Sequence, residues 1–183
     1  EWRQLAPPPE PAALHALAVW AERYSPMVAI DPPDGLLMDV SGCGRVFGGD
    51  QQLAWNLVRR CQGDLSRSGS SLRIRARVAV APTFGAAWAL ARCSHQPVTL
   101  VGPHELIESL GLLPLSALRV DSQTVQAMRE IGVHTIGELL ALPRPVLPSR
   151  FGPALLFRLD QALGGAMEVI HPVRPVDPPR VER

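Results

Sequence analysis

The sequence predicts an α+β fold in two parts, a sheet layer covered by helices and then a small all-helical domain. Three observations predict it. Apolar residues recur at three- and four-residue spacing in several segments, which marks one buried stripe per helix. Short apolar or alternating runs, bounded by Pro, Asp and Gly, mark strands in the first half only. After Gly102-Pro103 the strand pattern stops, and the text runs helix, turn, helix to about Gly165.

Ala6-Pro7-Pro8-Pro9-Glu10-Pro11 is a stiff extended lead-in to the helix ALHALAVWAERYS, whose Leu14, Leu17, Ala18 and Ala21 share a face. Pro26 ends it, because the residue before a proline is pushed out of the helical region. A strand through Val28–Ile30, a Pro-Pro-Asp-Gly turn and a strand through Leu36–Val40 follow as a hairpin. Past Gly42, Gly44, Gly48 and Gly49, Asp50 is the expected N-cap of the helix QQLAWNLVRRC. The Ser/Gly-rich stretch Asp64–Ser71 is expected as an exposed loop. Leu72–Ala81 alternates Arg73, Arg75 and Arg77 against Ile74, Ala76 and Val78, the pattern of a half-buried strand with its arginines outward. Pro82-Thr83 opens the helix FGAAWALARCS, and Val98–Val101 is a last short strand. The expected domains are therefore residues 1–102 and 103–165. The tail, residues 166–183, holds Pro172, Pro175, Pro178 and Pro179 and reads as an extended linker.

Composition sets bounds. The chain has 183 residues, 46% hydrophobic and 19% charged, which suits a folded domain with a real core. All 18 basic residues are arginine, and the formal net charge is +1, so any nucleic-acid contact must be local. Cys43, Cys61 and Cys93 are odd in number and match no zinc spacing, which predicts unpaired thiols in a reducing compartment. No apolar run reaches the roughly 20 residues that span a bilayer. The chain begins at Glu1, in the middle of a pattern, and reads as a piece of something longer.

Two places could carry chemistry. Asp31, Asp34 and Asp39 stand within nine residues on the hairpin, where rigid backbone suits a divalent metal site. On spacing alone, however, Asp34-Gly35 is ordinary turn chemistry and a structural hairpin is favoured. In the helical half, Glu130–Leu140 reads as a helix closing on Gly132 in the left-handed region, then a tight turn and a new helix. Thr135 and Glu138 form a capping box there. Such a helix–turn–helix can point amides at duplex phosphates, and the same spacing equally suits a plain helical bundle. Arg150-Phe151-Gly152-Pro153 opens a further helix carrying Leu155, Leu156, Leu159 and Leu163.

Taken in order, DGLLMDVSGCGRVFGG, VAVAPTFGAAWALAR, LPLSALRVDSQTVQAMREIGVHTIGELLAL and RFGPALLFRLDQALGG resemble the palm and thumb of the Y-family translesion DNA polymerases. The resemblance runs from about residue 14 to 165. It is nearest to the ImuB-type branch, polymerase-like subunits of bacterial damage-induced mutagenesis. It implies a palm-like sheet with covering helices, lacking an N-terminal strand and fingers, then a thumb with helix-hairpin-helix-like turns. It also implies that residues 166–183 lead toward a further C-terminal domain.

Departures from the family pattern concern the nucleotide site. Active members place an adjacent Asp-Glu at the palm turn; here Asp34 stands for the first acid and Gly35 for the second. Asp34 is thus the one candidate metal ligand, with Asp31 and Asp39 as further vestigial candidates, and Mg2+ is implied only if the chain is catalytic. A further metal acid, in an Asp-x-Asp strand, would lie outside this chain. The family's Asn-Lys pair and second Lys, which meet the incoming triphosphate, fall on Thr83, Phe84 and Trp88, with no cation expected nearby. The thumb's Gly-x-Gly hairpin falls on Arg119, Val120 and Asp121, where Asp121 or Ser122 suits a helix N-cap. Arg119, Arg144 and Arg150 are the expected phosphate contacts.

The resemblance implies a non-catalytic subunit of an SOS-type mutagenesis system. It would bind DNA and work with an error-prone polymerase, an accessory mutagenesis protein and the sliding clamp, in the bacterial cytoplasm at the nucleoid. The alternatives are a weak but active Y-family polymerase, or an interaction module that no longer touches DNA.

Overall fold

The computed structural model describes residues 11–64 and 75–173. They pack as two compact units, one of residues 11–49 with 169–173, the other of residues 50–64 with 75–168.

In the first unit, α1 (Pro11–Ala21) buries Leu14, Ala18 and Ala21. Its proline occupies the first helical position, where the missing N–H costs nothing. β1 (Met27–Asp31) and β2 (Gly35–Asp39) form an antiparallel hairpin with Met27 opposite Asp39 and Asp31 opposite Gly35. Side chains alternate across it. Val28, Ile30, Leu36 and Met38 therefore share one face, and they pack around Ala18 and Ala21 of α1. Met27, Ala29, Asp31, Gly35, Leu37 and Asp39 share the other. Ser25 ties the open end together: its hydroxyl donates to the Asp39 carbonyl and accepts from the Met27 N–H at 3.0 Å. The short helix α2 (Gly44–Phe47) closes on Gly48, whose φ of 86° only glycine adopts without strain. Its Phe47 stacks on buried Tyr24 with ring centroids 5.3 Å apart.

The second unit begins with α3 (Asp50–Asp64), which buries Leu53, Ala54, Leu57, Val58 and Cys61 along one stripe. β3 (Val78–Val80) and β4 (Val98–Leu100) pair in parallel. A parallel pair needs a crossover, and α4 (Phe84–Cys93) supplies it. α5 (Leu106–Gly111), a 3-10 turn at Leu115–Leu118, α6 (Ser122–Glu130) and α7 (Ile136–Leu140) follow. A 3-10 turn at Arg144–Val146, α8 (Leu147–Phe151) and α9 (Pro153–Leu163) complete it. The core gathers Ala86 and Ala89 of α4 with Leu106, Leu110, Met128, Ile136, Leu139, Leu147, Leu155 and Leu159.

The architecture is the expected mixed α+β, and the order of elements agrees with the sequence. Three details differ. The four strands pair as two separate ladders, and among the described residues none joins them into one sheet. Among the described residues of the alternating run Leu72–Ala81, only Val78–Val80 form a strand, because the partner β4 offers three residues to pair with. Arg77 is not simply solvated, for its guanidinium donates to the Ser94 carbonyl at 2.8 Å; Arg73 and the loop Leu65–Ser71 lie outside the described residues.

The third difference is the boundary. Packing does not divide near residue 102 but at Gly49/Asp50. The small-residue face of α4 is the cause. A Cβ on Gly85 would stand 3.0 Å from the Ala162 Cα, so α4 and α9 meet backbone to backbone across the expected boundary.

Candidate functional site

The hairpin keeps its acids apart. Asp31 ends β1 beside the turn, whereas Asp39 stands opposite Met27 at the far end of the ladder, four residues away. That is about 13 Å along a strand, against the ~4 Å that separates the ions of a two-metal centre. Asp34 lies in the turn, which contains a cis Pro32–Pro33 peptide. Asp39 does structural work: its Oδ1 accepts the Ser41 N–H at 2.9 Å, an Asx turn that ends the strand. Among the described residues no three His, Cys, Asp or Glu side chains converge to hold an ion. The described residues by themselves thus do not bring together the carboxylates that would hold a magnesium pair.

At the start of α4, Thr83 caps the helix by accepting the Ala86 N–H at 3.0 Å. The same hydroxyl donates to the Ala162 carbonyl at 2.8 Å, binding this end of α4 to α9. Thr83, one of the positions that the resemblance assigns to the triphosphate, is therefore engaged in helix packing. Trp88 corrects one expectation, that no cation remains nearby. The Arg92 guanidinium lies 5.1 Å, and that of Arg119 5.5 Å, from the centre of its indole. Flat guanidinium groups on an aromatic face are favourable pairings.

Arg119 has φ of 57°, and no other described residue except glycine has positive φ. A left-handed backbone thus stands at a position where the resemblance places a glycine, and here it carries a side chain. That side chain makes a two-pronged ion pair with Glu168, Nη1–Oε1 at 2.6 Å and Nη2–Oε2 at 2.7 Å. Arg158 adds a longer approach to Glu168 Oε1 at 3.9 Å. Of the other expected phosphate contacts, Arg144 is ion-paired with Asp160 of α9. Arg150 lies over its neighbour Phe151, 5.5 Å from the ring centre. The sequence leaves Arg158 and Glu168 unmarked and points to Trp88 only through the position it occupies. The one available signal was Trp88 in a lysine position; nothing local links Glu168 to Arg119.

The α6–α7 turn is built as the sequence predicts. Gly132 has φ of 82°. Thr135 accepts the Glu138 N–H at 3.2 Å, while Glu138 Oε2 accepts the N–H groups of Thr135 at 3.0 Å and His134 at 2.6 Å. These backbone donors, His134 first, hold the Glu138 carboxyl below its ordinary pKa. Asp121, the N-cap of α6, accepts from the Thr124 N–H at 2.8 Å and from its hydroxyl at 2.7 Å, which lowers its pKa likewise. The turn amides that could meet phosphates are thus taken by the chain's own carboxylates. Behind the turn, a Cβ on Gly137 would stand 3.0 Å from the Gly111 carbonyl oxygen, so α7 packs closely on α5. Cys93, half-buried on α4, has its thiol pKa raised by burial, with Arg77 opposing.

No family profile matches the chain. Protein ImuB of Caulobacter vibrioides is 42% identical over 172 residues, 94% of this chain and 36% of that protein. DNA polymerase IV of Pelotomaculum thermopropionicum is 30% identical over 131 residues, 70% of this chain and 31% of that protein. The chain spans about a third of the length of these relatives. Among solved structures, DinB from Sulfolobus solfataricus superposes with a TM-score of 0.67 at 16% identity, covering 87% of this chain and 46% of that one. A Dbh ternary complex gives 0.65 at 17% identity, covering 92% of this chain and 50% of that one. These two show the fold. The chain is homologous to ImuB and to the Y-family DNA polymerases, and its fold is theirs over the segment it spans.

Proposed function

We propose that this chain is the palm-and-thumb-like part of a polymerase-shaped, non-catalytic protein that binds DNA and brings an error-prone polymerase to damaged template. The observation that carries the reading is the hairpin. Gly35 stands where the second acid of an Asp-Glu pair belongs, and Asp31 and Asp39 sit at opposite ends of the ladder. Charge stabilisation by metal-holding carboxylates is most of what such a polymerase site contributes. The engaged Thr83 and the Trp88 in a lysine position support the same reading from a separate element.

Homology to ImuB supports the wider role: translesion synthesis after DNA damage, with an error-prone polymerase, an accessory mutagenesis protein and the sliding clamp as partners. The place of action is the bacterial cytoplasm at the nucleoid. Among the described residues no helix is long and apolar enough to cross a membrane. DNA contact falls to local arginines, Arg150 among them, because the formal net charge is only +1.

The test is primer extension by the full-length protein with magnesium and all four nucleotides, alongside DNA binding. The expected result is binding to the primer–template without extension, in both the wild type and Asp34→Ala. Extension by the wild type that disappears in Asp34→Ala overturns the reading.

A further inference from the structure

Arg119 and Glu168 make the best-formed ion pair among the described residues, and their surroundings do not look like those of an ordinary structural bridge. Both side chains are largely enclosed, with 14% and 11% of their surface exposed. Arg119 grips this single carboxylate, and Arg158, whose Nη1 donates to Gln161 Oε1 at 3.1 Å, approaches it at 3.9 Å. Arg92 joins Arg119 on the Trp88 indole.

The segment that delivers Glu168 is held in an inverted way. After α9, Gly164 turns left-handed with φ of 85°, and the N–H groups of Gly165 and Ala166 both bond to the Asp160 carbonyl. Just beyond that point Met167 is 85% exposed and Val169 is 69% exposed, before Ile170 is again half-buried and the Val173 N–H bonds to the Val28 carbonyl at 2.8 Å. The acid between the two exposed residues is the one that goes in. Between Met167 and Val169 the strap is seated by a charged group rather than by apolar burial, an interaction that another anion can replace.

We propose that Arg119 and Arg158 form a phosphodiester-binding site and that Glu168 fills it as a built-in stand-in for the phosphate. The inference rests on the DNA-binding reading above and names the site. A guanidinium fork takes a carboxylate or a phosphate by the same pair of parallel N–H···O bonds. Each anion carries one negative charge, so exchanging them leaves the local charge balance unchanged. The left-handed backbone at Arg119, with its side chain laid on Trp88, fixes the guanidinium in place in either state. The Gly164-Gly165 pair is the pivot on which the strap leaves.

The experiment is a salt titration of binding to a fluorescent primer–template duplex, followed by anisotropy, with the full-length protein. Glu168→Gln keeps an acceptor oxygen but removes the charge. It is expected to bind duplex about threefold to tenfold more tightly at low salt, with a log–log salt slope steeper by about one, the value for one further phosphate contact. Combining it with Arg119→Gln is expected to abolish both gains. Glu168→Asp keeps the charge and draws the carboxylate back by one methylene; it is expected to give a smaller gain in the same direction. This second variant carries the test if Glu168→Gln does not fold. Unchanged affinity and slope in the folded variants, with the wild type still binding, overturn the masked site and leave the DNA-binding reading standing. No binding by any of the proteins overturns both. Binding by the Glu168 variants alone upholds the site and removes DNA binding from the wild-type state.

Discussion

The β1–β2 hairpin and the α6–α7 turn both keep the shape of a polymerase part, and they differ in what has happened to the groups that such a part would use. On the reading proposed above, the hairpin lacks the groups themselves: a glycine stands in one acid position, and two aspartates lie about 13 Å apart along the ladder. In the helical unit the donors are present and occupied. Glu138 takes the amides of the turn, Asp121 the first turn of α6, and Glu168 the guanidinium of Arg119. Loss by subtraction is permanent for a given sequence. Occupation by an internal carboxylate is an equilibrium that another anion can shift, so the two regions of one chain can differ in what they still respond to.

The largest expected effect separates the scaffolds. Leu139 of α7 is 1% exposed inside the helical core. Leu139→Ala should cost about 2–5 kcal/mol, the usual range for a buried leucine truncated to alanine. Leu37→Ala, on the half-buried acid face of the hairpin, removes less burial and should cost less than half of that. Urea denaturation followed by circular dichroism checks both. Equal costs would mean that the hairpin is packed as rigidly as the helical unit, and the contrast drawn between them would go.

How much of this was legible in the sequence depends on how local each interaction is. The capping box of Thr135 and Glu138 spans three residues, and the left-handed Gly132 is a turn residue by necessity; both were readable and both are present. The helix beginning at Asp50, expected as its N-cap and found as its first helical residue, and the helix opened by Pro82-Thr83 belong to the same class. Asp121 as N-cap was one of two readings, and the structure chooses it. What stayed hidden depends on partners far along the chain. Arg119 and Glu168 are 49 residues apart, and no periodicity connects them. The strand through Leu72–Ala81 was overextended because alternation tells which residues suit a strand, not how many its partner can pair. The boundary near residue 102 followed a real change of pattern, but the glycine and alanines of α4 carry packing across it. At the candidate site, the missing acid at Gly35 could be seen by comparison with the family motif. That Arg119 is enclosed by an acid could not.

A middle-sized effect concerns acid. The carboxyls of Glu138 and Asp121 both have pKa values below their ordinary ones, through hydrogen bonds from His134 and Thr135 in one case and from Thr124 in the other. A depressed carboxylate pKa means that the unfolded chain binds the proton more readily than the folded one. Their contribution to stability is therefore complete above the unfolded-state values, near pH 4. It is lost as pH falls through the lower, folded-state values. Thermal melts from about pH 5 downward should show the helical unit weakening, and Glu138→Gln should flatten part of that fall. Glutamine keeps the capping geometry but cannot titrate. An unchanged acid limb in Glu138→Gln would show that the turn amides are not held by a charged Glu138.

The smallest expected effect is the most direct challenge to the comparison. Gly35→Glu supplies the acid that the family resemblance places at this position. Residue 35 pairs with Asp31 across the strands, so the new carboxylate would share a face with Asp31. A like charge directly opposite should cost a few tenths to about 1 kcal/mol. Activity is expected to stay absent, because the nucleotide positions at Thr83 and Trp88 remain committed to α9 and to two guanidinium groups. Primer extension by the full-length Gly35→Glu protein decides this. If extension appears, one carboxylate was the whole deficit, and the hairpin joins the helical unit as a part whose function is suspended rather than gone. If it stays absent while the folded protein still binds duplex, the palm-like region has lost its chemistry at two independent places, and a single substitution does not return it.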